Sequence, residues 1–189
     1  LSEDDEVALS LSFRAAEVCE SELSDPVRAI PSYEQVLARA ADNVRAASAL
    51  LGLYESERSW RRVADMLQLL LDLSPEGATD ERVDLQTRLA RVTMLELHDP
   101  DAAFAHASAV YALAPGGPGV RENLEAAALS SGKVEPLVEL FVARRGQCEP
   151  DESLLLGRRI AEITAGEMGQ PERAAEQLES LLVEHPGDT

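Results

Sequence analysis

Residues 50–75 read LLGLYESERSWRRVADMLQLLLDLSP, and this stretch decides the fold. Leu50, Leu53 and Tyr54 follow helical spacing up to a break at Arg58-Ser59. Trp60, Val63, Leu67, Leu70 and Leu71 then repeat that spacing until Pro75 closes the run. Apolar residues three and four apart line one face of an α-helix. Two such faces separated by a short polar break predict a pair of antiparallel helices burying their stripes against each other.

The pattern recurs along the chain. Turn segments at Asp25-Pro26, Asp99-Pro100 and Gln170-Pro171 are spaced 74 and 71 residues apart. In that register Leu11, Leu85 and Leu156 coincide, as do Ala15, Leu89 and Ile160, then Val18, Val92 and Ile163, then Ala29, Ala103 and Ala174. An aspartate accepting from free N–H groups, followed by a proline whose missing donor costs nothing there, is a helix start. The small residues Ala16 with Ala29, and Ala90 with Ala103, predict close helix approach. A further unit runs through Leu124, Ala127 and Ala128, breaks at Ser131-Gly132, and resumes at Val134, Leu137, Leu140 and Phe141. Taking Ala29, Val63, Ala103, Leu137 and Ala174 as equivalent gives steps of 34, 40, 34 and 37. The surplus over 34 falls in 75–80 and 147–152, which read as loops. Ten helices are predicted near 4–23, 26–40, 43–56, 59–73, 80–97, 100–113, 117–131, 134–147, 152–168 and 171–184.

A period near 34 with this pattern resembles the tetratricopeptide repeat (TPR) family, clearest where Leu50, Tyr54, Trp60, Leu67 and Pro75 fill apolar, aromatic and closing positions. Pro115 and Pro186 close two other units. Ala41 and Glu149 stand where the family closes with proline, and Leu51 and Glu125 where it has small residues. The resemblance implies an all-α fold, a right-handed α-solenoid of about five antiparallel helix hairpins spanning residues 1–189 as a single array. It further implies that the first helix of each pair lines a concave surface that receives a protein or peptide partner. Carried over by register, that lining is Phe13, Glu17, Arg45, Ser48, Glu55, Thr87, Arg91, Met94, Glu122, Arg158 and Glu162. These positions do not reproduce the recurrent Lys, Arg and Asn set with which some members clamp a terminal carboxylate.

Composition bounds the function from another side. The chain is 45% hydrophobic, enough for a core, and only 4% aromatic. Seventeen Lys and Arg against 35 Asp and Glu give a net charge of −18, a field that opposes DNA, RNA and anionic membranes. No run approaches the uncharged apolar length that membrane insertion needs. Cys19 and Cys148 lie far apart, each in a stretch read as helical, and form no metal or redox motif. His98 and His106 flank a turn and read as solvated. Glu3-Asp4-Asp5-Glu6 lacks the glycine and distal glutamate of a calcium loop and reads as charge at a helix start. Gly116-Gly117-Pro118-Gly119 lacks the Lys-Ser/Thr of a phosphate loop. Arg61-Arg62 and Arg144-Arg145 read as solvated or salt-bridged faces.

No catalytic set and no cofactor site emerges. The expected function is a protein-binding scaffold, with a non-catalytic regulatory or structural segment of a larger enzyme as the alternative. The closing segment His185-Pro186-Gly187-Asp188 resembles Ala114-Pro115-Gly116, so the array is expected to continue. Leu178, Leu181 and Leu182 are expected to lie uncovered, exposing the last hairpin to self-association.

Overall fold

In the computed structural model, residues 3–21 and 26–184 are described. Asp25, the side chains of Glu3-Asp4-Asp5-Glu6 and of Glu17, and the segment 185–189 lie outside the described residues. All ten elements found among the described residues are α-helices. They are α1 (Glu3–Ser21), α2 (Pro26–Arg39), α3 (Val44–Ser56), α4 (Trp60–Leu73), α5 (Thr79–Leu95), α6 (Pro100–Leu113), α7 (Val120–Ser131), α8 (Val134–Arg145), α9 (Pro150–Gly166) and α10 (Pro171–Glu184). The chain divides into two compact units, Leu1–Gly117 and Pro118–Thr189.

The first unit holds α1 to α6, with α1 on α2, α3 on α4 and α5 on α6; α2 also packs on α3, and α4 on α5. The alanines set the close approach: Ala16 and Ala29 are fully buried, and Ala103 is buried while Ala90 is half-buried. Around them Tyr33, Val36, Leu50, Val63, Leu67, Leu85 and Leu89 complete a continuous apolar core. The second unit pairs α7 with α8 and α9 with α10, and α8 packs on α9. Its core is built on Leu124, Ala128, Leu137, Phe141, Ile160 and Leu181. In α9 and α10 the helices meet at Gly157, where an added Cβ would lie 2.6 Å from Leu181 Cδ2.

The hairpin turns among the described residues are of two kinds, and each recurs. After α3, Ser59 N–H donates to the Tyr54 carbonyl (2.9 Å) and Arg58 N–H to that of Glu55 (3.1 Å), with Arg58 at φ 56°. After α7, Lys133 N–H donates to the Ala128 carbonyl (2.8 Å) and Gly132 sits at φ 71°. This is the Schellman arrangement, which satisfies carbonyls the helix end leaves free. The longer turns after α5 and α9 match each other. Asp99 N–H donates to the Thr93 carbonyl (2.8 Å) and Gln170 N–H to that of Thr164 (2.9 Å), with His98 and Gly169 at φ 53° and 63°. Asp99 caps α6 by accepting from Ala102 N–H at 3.0 Å, and Pro100 opens the helix, as its sequence requires.

Five expectations are corrected. The stripe Leu11, Ala15, Val18 is not a buried face: Leu11 is 64% exposed, Ala15 is exposed and Val18 half-buried, whereas its counterparts Leu85, Leu89 and Val92 are buried. The difference follows from packing, because α4 lies against α5 while α1 packs chiefly on α2. Leu181 faces inward against Gly157, leaving Leu178 and Leu182 as the exposed pair. α7 starts at Val120 rather than 117, after Gly119 turns through φ 72°. α9 starts at Pro150 rather than 152, because proline suits the first position and Asp151 and Glu152 favour the first turn. Cys148, read as helical, instead lies between α8 and α9, its thiol 3.7 Å from the Arg145 carbonyl, while Cys19 lies in α1 against the core.

Candidate functional site

The candidate residues lie on the first helices of the hairpins. In the first unit, contacts between side chains show these helices running side by side. The Arg45 guanidinium on α3 lies 4.8 Å from the centre of the Phe13 ring on α1. Phe13 in turn sets its edge on Tyr33 of α2, centres 5.5 Å apart. Arg88 on α5 donates to Glu55 on α3 at 2.7 Å, with Asp84 at 4.0 Å. Between these two links Ser48 is exposed, and Gly52 has nothing within 4 Å of where its Cβ would be. Thr87 is exposed, but its hydroxyl turns back to the Val83 carbonyl (2.7 Å). Arg91 is exposed and Met94 half-buried. The structure thus brings Phe13 with Arg45 and ties up Glu55; Ser48 and Arg91 stay open to solvent.

Beside this face lies a three-helix clasp. Tyr54 on α3 donates its hydroxyl to Glu34 on α2 at 2.7 Å, and Arg62 on α4 donates to the same oxygen at 3.1 Å. The Arg62 guanidinium also lies 5.2 Å from the centre of the Tyr54 ring. Burial, then the neighbouring Glu34 carboxylate, push the Tyr54 phenol up to about 12.

In the second unit the corresponding contact joins α7 and α9. Arg159 donates three times to Glu125 (3.2, 3.1 and 2.7 Å) and once to Glu162 (2.6 Å). Those hydrogen bonds hold the guanidinium above its ordinary pKa. Arg158 and Glu122 are exposed, and Arg121 approaches Glu122 at 3.4 Å. Arg145 pairs with Glu184 and Arg144 with Glu152.

Sequence reading overlooked Arg88 and Arg159, which bridge successive first helices. Arg14, Arg88 and Arg159 stand in the same 74- and 71-residue register as the leucine set. That spacing was the available signal, and it passes unnoticed when only apolar residues are aligned. It also explains Glu125 where the family is small: the side chain is 14% exposed and receives Arg159. His106 is not solvated. It is half-buried, its Nδ1 lies 2.8 Å from Gln86 Oε1, and burial lowers its pKa.

No group of three or more His, Cys, Asp or Glu among the described residues is placed to hold a metal ion, and no described helix is long and apolar enough to cross a membrane. No family model and no curated protein matches the sequence. Among solved structures the chain is similar to YrrB, described as a TPR protein with an unusual peptide-binding site, at 18% identity over 91% of this chain and 84% of that one, TM-score 0.48. It is also similar to MamA from Desulfovibrio magneticus RS-1, at 14% identity over 96% and 98%, TM-score 0.47. A third similarity is to Pseudomonas aeruginosa PilF, at 20% identity over 97% and 78%, TM-score 0.42. By the period of its sequence, the pairing of its successive helices and the recurrence of its hairpin turns, the chain is a TPR-like helical-repeat protein.

Proposed function

We propose that this chain is a non-catalytic interaction scaffold that holds an extended segment of a partner protein across its first helices. One observation carries the reading. The face formed by α1, α3 and α5 is braced by Phe13–Arg45 and Glu55–Arg88, yet leaves an open floor at Ser48 and Gly52. A mid-helix glycine costs about 1 kcal/mol relative to alanine. With no neighbour within 4 Å of the missing Cβ, packing inside the chain gives no return for that cost. Close approach of another backbone does.

The test is capture of partner protein on the immobilised chain, comparing wild type with a Phe13→Ala, Arg91→Ala, Met94→Ala triple variant and with Gly52→Leu. Capture that falls about tenfold or more in both variants, a loss of roughly 1.4 kcal/mol or more, with wild-type circular dichroism, supports the reading. Undiminished capture by both removes the first-helix face from the binding surface.

A further inference from the structure

The joint between consecutive hairpins is built differently in the two units. In the first, where α4 ends, Gln68 donates to Asp72 at 2.8 Å, and Leu71 is buried. Arg82 of α5 donates there to the Leu71 and Ser74 carbonyls at 3.2 and 3.1 Å. Val142, Arg145 and Gly146 stand 74 residues after Gln68, Leu71 and Asp72, and Ser153 and Glu184 stand 71 residues after Arg82 and Leu113. Three of these positions have lost bulk and polar groups, and two leucines have become a cation and a carboxylate. The same five residues line an open pocket of about 300 Å³ where α8 and α10 end and α9 begins. Stability does not account for the exchange. Arg145 and Glu184 form an ion pair with side chains 24% and 49% exposed, and pairs so placed contribute little. Leu71, where Arg145 now stands, is 5% exposed. Among the described residues the Arg145 guanidinium has no other partner, and its Nε–H is covered without an acceptor. A covered donor left unmet is a cost that calls for a reason.

We propose that this pocket takes an uncharged carboxamide, the side-chain group of an asparagine or glutamine in a partner segment. The charges around it are already matched, Arg145 against Glu184 and the adjacent Arg144 against Glu152 at 3.0 Å. A second cation would meet Arg145, and a free anion would meet a chain of charge −18. A carboxamide brings an acceptor for Arg145 and donors for Ser153 and Glu184 in one planar group. A small turn of the guanidinium brings Nε–H to that acceptor, and the Val142 methyls lie beside the ligand's methylenes. Gln68 carries the same group at the same register in the first unit. The second unit thus accepts from outside what the first holds in its own side chain. The pocket shares no residue with the face formed by α1, α3 and α5, and does not depend on a partner binding there.

Two-dimensional NMR of the backbone and arginine side-chain N–H groups of the full chain, titrated with N-acetylglutamine methylamide, tests the proposal. The expected result is a saturable shift of the Arg145 Nε–H signal and of the Gly146 and Ser153 amides, with a Kd on the order of 1 mM. N-acetylglutamate methylamide, of the same shape with a carboxylate, and N-acetylarginine methylamide each bind at least about tenfold more weakly. Ser153→Arg, which restores the side chain that Arg82 supplies in the first unit, fills the pocket and abolishes the shifts. Arg145→Leu with Glu184→Leu restores the apolar pair of the first unit and abolishes the Gly146 and Ser153 shifts. Both variants are expected to keep the wild-type circular dichroism, since they copy the joint of the first unit. No saturable shift means that the pocket holds water only, and overturns the proposal. So does equal or tighter binding of the glutamate or arginine probe, and so does binding that survives either variant.

Discussion

His98 holds a left-handed backbone at φ 53° where Gly169, 71 residues on, holds the same conformation at φ 63°. A side chain there crowds the carbonyl that glycine leaves clear, which costs roughly 1–2 kcal/mol. His98→Gly is expected to stabilise the chain by about 1 kcal/mol in urea unfolding, after the extra chain entropy of glycine is subtracted. Gly157 presents the opposite case. A methyl group there would lie 2.6 and 2.8 Å from the two terminal carbons of Leu181, itself buried. Gly157→Ala is expected to destabilise by about 1–3 kcal/mol through overpacking, and Leu181→Ala in the same chain to recover part of that loss. Gly157 stands where Gln86 stands in the first unit, and Gln177 where His106 does. The Gln86–His106 bond has no counterpart, and Gln177 Oε1 is left buried without a hydrogen-bond partner among the described residues.

At the scale of helices, ion pairs fix the spacing of first helices where apolar contact is thin. Arg159 bridges α9 to Glu125 of α7, and Glu125 is only 14% exposed. Removing the cation leaves a largely covered carboxylate. Arg159→Ala is expected to cost about 1 kcal/mol, discounted because the arginine itself is 39% exposed. A double-mutant cycle with Glu125→Ala measures the coupling. Arg82 acts at a helix end instead, donating to the carbonyls of Leu71 (3.2 Å) and Ser74 (3.1 Å) where α4 terminates. The clasp of α2, α3 and α4 adds a pH dependence. The folded Tyr54 phenol keeps its proton up to about 12 against 10.0 unfolded, so between those values the folded state binds more protons. Stability is therefore lost as pH rises from 10 towards 12. Tyr54→Phe is expected to flatten that part of the unfolding profile, and an unchanged slope would remove the clasp as its source.

Across the whole molecule, contacts run between successive helices within each unit. Stability in such an array is a sum of hairpin and nearest-neighbour contributions, so damage stays local. Gly157→Ala is accordingly expected to lower amide-exchange protection in α9 and α10 while α3, α4 and α5 keep theirs. Uniform loss along the chain would contradict nearest-neighbour coupling.

Helical periodicity, the repeat register and the Asp-Pro and Gly breaks were sufficient to place all ten helices, because those features act over a few residues and need no partner. Eight of the ten begin within one residue of where the local pattern puts them, and proline or glycine chemistry accounts for the departures at α7 and α9. Leu11 and Leu85 carry the same pattern, yet one is bare and the other buried. Arg45 rests on Phe13 and Arg159 on Glu125 although each looks like any other surface arginine in the sequence. Burial and pairing depend on which helix arrives from elsewhere in the chain, so only the packed tertiary structure decided them.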